Sequence, residues 1–201
     1  MDKKINVGLV GAGRMASFHL EVLNAFEDIN IQAIASTNTG EKRRLEICNK
    51  YQIPNQYSDY NKLLNNEDLD CVFIAVSVDK MYEVTRKVLS KGIHSFVEKP
   101  PGLYLHETKA LAKIAEDNSL ITSVGFQRRF YSHIQYAKGH IESNGKLVSI
   151  VVEAPERFAQ IKRKDKFSDE VLSRWILANG IHCLDLLLYF GGNPKSVNTI
   201  S

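Results

Sequence analysis

Apolar and polar positions alternate along the chain in two rhythms. Lys4–Val10 is a nearly continuous apolar run, as in a parallel strand covered on both faces. Arg14–Phe26 follows as a helix, Ile31–Ala35 as a strand and Glu41–Tyr51 as a helix that Pro54 terminates. The pattern predicts a short helix at Tyr60–Leu64, a strongly apolar strand at Cys71–Val76, and a helix marked by Met81, Val84 and Val88 that stops at Gly92. A strand at His94–Val97, a helix through Leu111, Ile114 and Ala115, and a strand at Leu120–Val124 complete the series. Strands alternating with helices imply right-handed crossovers and a parallel sheet.

Beyond Gly125 the rhythm changes. The spacing predicts a helix over Phe130–Ser143, a strand over Lys146–Glu153 rich in Val and Ile, a polar loop, a helix over Trp175–Phe190 and a strand start at Ser196–Ser201. The expected fold class is α/β: a Rossmann-type doubly wound parallel sheet over residues 1–125, then the beginning of an incomplete α/β domain over 126–201. Two further strands are too few for a sheet with its own core.

Composition adds little to this frame. The 201 residues are 44% apolar and 24% charged, ordinary for a globular chain. No apolar run approaches the ~20 residues that span a bilayer, so no membrane partner is expected. Strand pattern begins right after Met1-Asp2-Lys3-Lys4, and no signal peptide is expected. A net charge of +3 gives no case for nucleic acid. Lys162-Arg163-Lys164, followed by Asp165, Asp169 and Glu170, reads as a solvated loop. The three cysteines, Cys48, Cys71 and Cys183, are far apart without a CxxC, Cys71 reading as a small buried hydrophobe. A reducing cytoplasm fits. The histidines lack metal-ligand spacing.

The chemistry starts at Gly11-Ala12-Gly13-Arg14-Met15-Ala16, a G-x-G-x-x-A turn between the first strand and the first helix. The first glycine permits the tight turn, the second admits a pyrophosphate against the backbone, and Ala16 allows close helix–strand packing. Phosphate oxygens would meet backbone N–H groups, including those of Arg14 and Met15, at the positive end of the helix dipole. An acid at the end of the second strand would select NAD; here that stretch reads Ser36-Thr37-Asn38, with Lys42, Arg43 and Arg44 behind it. Hydroxyl donors backed by cations suit the 2′-phosphate of NADP, so NADP is preferred over NAD. Lys42 and Arg43 equally fit the exposed face of a helix.

Glu98-Lys99-Pro100-Pro101 closes a parallel strand at the end where open α/β sheets bind ligands. Prolines fix that backbone, a cis bond being one way. A lysine there can donate to a substrate oxygen and, desolvated, exchange a proton. In the helix over Trp175–Phe190, Leu177, Ile181, Leu184 and Leu188 share an apolar face. Asn179 and His182 lie off it, about 60° apart at ~100° per residue. His182 can exchange a proton near neutrality, and Asp185 either orients it or serves another network.

Together, "VGLVGAGRMASFH", "AVSV", "GIHSFVEKPPG", "VGFQRRF" and "GIHCLDLLLYFGG" resemble the glucose–fructose oxidoreductase/inositol dehydrogenase (Gfo/Idh/MocA) family. The resemblance implies a hydride-transferring enzyme acting on a sugar, a cyclitol or a nucleotide sugar, and a second domain whose sheet builds oligomer contacts. It implies a homo-oligomer for a full-length chain. By it, Lys99 matches the lysine on the reacting oxygen, His182 the acid/base, Glu98 a residue beside the nicotinamide ribose, Ser77 part of the cofactor-binding stretch and Arg129 the arginine of an R-F pair. Asn179 falls in the substrate-binding stretch. The departures are Ala178-Asn179-Gly180 in place of an aspartate a turn before the histidine, Ser77-Val78-Asp79 for the usual TPN, and Tyr82 for a histidine. Family members continue beyond position 201, so the chain is read as a fragment or a natural truncation. Two other functions stay open: a non-catalytic dinucleotide or sugar-phosphate regulator of the same fold, and a fragment inactive alone.

Overall fold

The computed structural model describes residues 4–163 and 166–199. The chain divides into two compact units at Gly125/Phe126. In the first, six parallel strands are ordered β3-β2-β1-β4-β5-β6. They are β1 (Ile5–Val10), β2 (Ile29–Ala35), β3 (Asn55–Tyr57), β4 (Cys71–Ile74), β5 (His94–Val97) and β6 (Thr122–Val124). The order reverses between β1 and β4, which opens a crevice beyond their C-terminal ends. That is a Rossmann sheet.

The helices of this unit are α1 (Arg14–Leu23), α2 (Glu41–Tyr51), α3 (Tyr60–Asn66), α4 (Met81–Leu89) and α5 (Leu105–Asp117). Side chains alternate across a strand, so β1, β2 and β4 each feed two cores. Leu9 and Ile34 pack with Ala16, Leu20 and Ile47 under α1 and α2. Val10, Ala33, Val72 and Ile74 pack with Leu63, Val84 and Val88 under α3 and α4. Burying each of these Leu, Ile and Val side chains contributes about 1.5–3 kcal/mol before conformational entropy is counted.

Several boundaries shift from the sequence reading. α1 ends at Leu23, three residues short of Phe26, and β2 begins two residues early. β3 was absent from the periodicity because Asn-Gln-Tyr has no apolar alternation. Its position is held by polar bonds: Glu67 accepts from Asn55 Nδ2 (3.1 Å), from Gln32 Nε2 (2.9 Å) and from the Tyr57 hydroxyl.

The second unit holds α6 (Ser132–Asn144), α7 (Phe158–Lys162), α8 (Asp169–Ser173) and α9 (Ile181–Gly191), with a π-helical turn at Ile176–Gly180 just before α9. The strand expected at Lys146–Glu153 does not form, and Val148 and Val151 are exposed. Its Val and Ile content suits a strand, but a strand needs a hydrogen-bonded neighbour, and none occurs among the described residues of this unit. Residues 196–199 likewise form no strand. Ile200 and Ser201, like Lys164 and Asp165 of the basic cluster, lie outside the described residues, and Lys162 ends α7 instead of sitting in a loop.

Cys48, Cys71 and Cys183 are free thiols. Burial pushes the Cys71 thiol up to about 11 from an ordinary 9.0. At pH 8 it therefore carries about a hundredth of the usual thiolate. Iodoacetamide labelling followed by mass spectrometry is expected to modify Cys71 about a hundredfold more slowly than an exposed cysteine in the unfolded chain.

Candidate functional site

β1, β2 and β4 end at a cleft of about 880 Å³ that begins at the glycine turn. Gly11 has φ +115°, and a Cβ there would lie 2.2 Å from the Ala75 carbonyl oxygen. Only glycine fits. Gly13 differs: its φ of −77° and ψ of −178° suit any residue, and a Cβ would meet no atom within 4 Å. The room beside Gly13 belongs to the cleft and not to the protein's own packing. α1 begins there with no side-chain cap and no acidic residue in its first turn. Its dipole and N–H groups are therefore offered to an anion. Ala16 is fully buried against the sheet, as its place in the turn requires.

Gly11, Gly13, Ser36, Thr37, Arg43 and Ser77 all line this cleft. Arg14, Met15, Asn38 and Glu98 are not among its lining residues. Arg14 and Asn38 are exposed beside it, and Met15 is half-buried on α1. Thr39 and Lys42 join the wall, as do Asp59 and Tyr60 from the start of α3 and Lys80 and Glu83 around the start of α4. The sequence did not reveal these last four, because they reach the cleft only through the strand order. Three carboxylates border the cleft: Glu46, Asp59 and Glu83. Asp59 is taken up by the Asn61 backbone N–H (2.8 Å), and Glu83 by Lys80 (3.3 Å) and the Tyr60 hydroxyl (3.1 Å).

The three consecutive cations after β2 have separate fates. Lys42 and Arg43 face the cleft, whereas Arg44 is buried. Arg44 Nη1 donates to Ser36 O and Ser36 Oγ, both at 2.9 Å, and Nε donates to Gln56 Oε1 at 3.3 Å. Arg44 thus braces the Ser36–Thr37 loop from behind. The Thr37 and Thr39 hydroxyls lie 2.9 Å apart at its tip.

At the end of β5 the Glu98 backbone N–H donates to Ile74 O (2.9 Å), continuing the ladder to β4. The Glu98 carboxylate is buried, one oxygen 2.7 Å from His19 Nε2. Lys99 is half-buried, and its peptide bond to Pro100 is cis. The loop beyond is pinned where Glu107 of α5 accepts the N–H groups of Leu103 (2.8 Å) and Tyr104 (3.1 Å).

In the second unit the apolar face of α9 is turned outward. Leu184 and Leu188 are 37% and 44% exposed, whereas His182 and Asp185 are each 4% exposed. The reason is an ion pair that holds Asp185 inward against a half-buried Arg129. Arg129 grips Asp185 with both prongs, Nε at 2.7 Å from Oδ2 and Nη2 on Oδ1. The bond raises Arg129 above the ordinary guanidinium range. The guanidinium also stacks over Tyr189, 5.3 Å from its ring centre. Asp185 therefore serves Arg129, the second of the roles open to it. The His182 ring lies edge-on to Phe126, centroids 6.4 Å apart. Asn179 sits in the π turn, where its amide donates to Glu156 Oε1 (2.8 Å) while Trp175 Nε1 donates to Oε2 (2.9 Å). Glu156 carried no sequence signal.

No group of three metal-ligating side chains occurs among the described residues, and no helix among them is long and apolar enough to cross a membrane.

The sheet order, the glycine turn and the cleft at the switch point are those of the Rossmann class of dinucleotide-binding folds. The family model described as "Oxidoreductase family, NAD-binding Rossmann fold" (GFO_IDH_MocA) matches residues 5–126, and the chain belongs to that family. Among curated relatives, an uncharacterized oxidoreductase, YrbE, of Bacillus subtilis is 29% identical over 73% of this chain and 42% of its own length. Myo-inositol 2-dehydrogenase of Thermotoga maritima is 26% identical over 69% of this chain and 41% of its own. The chain thus spans under half the length of these relatives. Among solved structures, myo-inositol 2-dehydrogenase from Lactobacillus plantarum aligns with a TM-score of 0.80 at 24% identity, covering 94% of this chain and 56% of that one. Scyllo-inositol dehydrogenase from Lactobacillus casei, with bound NAD(H) and scyllo-inositol, aligns at 0.78 and 23% identity over the same shares. These likenesses show the fold.

Proposed function

We propose that the protein is an NAD(P)-dependent oxidoreductase acting on a hydroxyl or carbonyl of a sugar, cyclitol or nucleotide sugar. The supporting observation is the space beside Gly13, which opens onto the cleft at an uncapped helix N-terminus. The nicotinamide, when bound, accepts or supplies the hydride. In the oxidative direction Lys99 donates a hydrogen bond to the reacting oxygen, and His182 takes the hydroxyl proton as the hydride leaves carbon. Glu98 lies beside the nicotinamide ribose, and Arg129 and Asn179 bound the substrate. The relatives named inositol dehydrogenases support the substrate class.

The cofactor is NADP in preference to NAD. No carboxylate occupies Ala35–Gly40, and Ser36, Thr37 and Arg43 line the cleft where a 2′-phosphate would sit. Titration with NADPH and NADH, followed by nicotinamide fluorescence, tests both statements. NADPH is expected to bind tighter, and Arg43→Ala to weaken NADPH about tenfold while moving NADH less than about twofold. Equal loss for both cofactors would refute the Arg43 assignment.

A second reading, a binding regulator without turnover, is favoured by one feature. Asn179 replaces an acid near His182, and its amide is engaged with Glu156. Tight cofactor binding without hydride exchange in a panel of sugars and inositols would favour it.

A further inference from the structure

The helix that starts at the glycine turn sends one polar side chain toward the end of the sheet. His19, in the second turn of α1, lies edge-on to Phe96 at 4.9 Å and tilted to Phe73 at 5.7 Å. Those two rings stack on each other at 4.9 Å and 15°. This aromatic seat aims Nε2 at Glu98 Oε1, 2.7 Å away. An ionised carboxylate can only accept, so the ring N–H donates. The second carboxylate oxygen, Oε2, accepts the backbone N–H of Lys99 at 3.3 Å. Gly125 leaves room for the carboxylate: a Cβ there would approach Oε1 to 3.2 Å.

Glu98 is 6% exposed, and a carboxylate so placed depends on the donors that reach it. One comes from its own strand end and the other from α1. We propose that His19 is a positioning residue, holding the Glu98 carboxylate and through it the backbone of Lys99 in register with the helix that receives the pyrophosphate. The phosphate end and the reacting end of the site are then joined by this side-chain hydrogen bond in addition to the sheet ladder. This rests on the dinucleotide reading above, and its test separates the two.

His19→Phe keeps an aromatic ring against Phe73 and Phe96 but removes the donor, and His19→Gln restores an N–H. Both variants and the wild-type chain are compared by the backbone amide resonance and hydrogen exchange of Lys99, by melting temperature, and by titration with NADPH. In His19→Phe the Lys99 amide is expected to shift and exchange about tenfold faster or more, with NADPH affinity reduced about tenfold. His19→Gln is expected to return both toward wild type. A Lys99 amide and an affinity unchanged in His19→Phe would overturn the proposal. So would a His19→Gln chain that melts like wild type yet behaves like His19→Phe. If the wild-type chain binds neither NADPH nor NADH while the Lys99 amide responds as described, the dinucleotide reading fails and the fastening stands.

Discussion

Gly13→Ala is expected to fold as well as the wild-type chain and to lose dinucleotide affinity by about a hundredfold. Its backbone angles are ordinary for alanine and a Cβ would touch nothing, so the fold has no stake in the absent side chain. Alanine there even reduces the freedom of the unfolded chain, which stabilises by up to about 1 kcal/mol. The added methyl instead occupies the space that a pyrophosphate needs against the backbone. Gly11→Ala is the opposite case. Its Cβ would lie 2.2 Å from the Ala75 carbonyl at φ +115°, joining a steric clash to backbone strain where the chain leaves β1. A loss of about 3 kcal/mol or more is expected, read from the urea midpoint. A Gly13→Ala chain that binds NADPH normally would remove the glycine turn from the site.

Lys99→Ala is expected to lower hydride transfer by about a thousandfold while cofactor affinity changes less than about threefold. The magnitude is that of losing a donor aimed at an oxygen on which charge develops. The separation follows because Lys99 does not line the glycine-turn cleft, whereas Gly13, Thr37 and Arg43 do. Steady-state turnover and a cofactor titration on the same preparation give both numbers. Cofactor binding lost in parallel with turnover would mean that Lys99 supports the cofactor and not the reacting oxygen.

The parts of the fold that the sequence made legible are those in which local pattern and burial agree. Lys4–Val10 reads as a covered strand because its Val7–Val10 half is buried on both faces, by α1 and α2 on one side and α3 and α4 on the other. β3 stayed hidden because its neighbours, more than its side chains, make it a strand. The run at Lys146–Glu153 misled for the converse reason: it has strand-forming side chains and no pairing partner among the described residues. In α9 the periodicity separated two faces correctly but could not say which is inward. The Arg129–Asp185 pair decides that, and it joins positions 56 apart in the chain.

The candidate site divides in the same way. Gly11, Gly13, Ser36, Thr37 and Arg43 are read from motif and strand ends and Ser77 from the family resemblance, and all six line one cleft because a Rossmann sheet brings strand ends together by construction. Tyr60, Lys80 and His19 were not assigned roles, since their work depends on distant partners; His19 and Glu98 are 79 residues apart.

The brace formed by Arg44 bears on how cofactor choice could change over time. The Ser36–Thr37 loop in the cleft wall keeps its shape through a buried guanidinium bonded to Ser36 and Gln56, which does not involve the Thr37 or Arg43 side chains. Ser36 belongs both to the brace and to the cleft wall, whereas Thr37 and Arg43 line the cleft without taking part in the brace. A lineage could exchange Thr37 for an acid and Arg43 for a neutral residue, reversing its preference between the two dinucleotides, without rebuilding the turn that presents them.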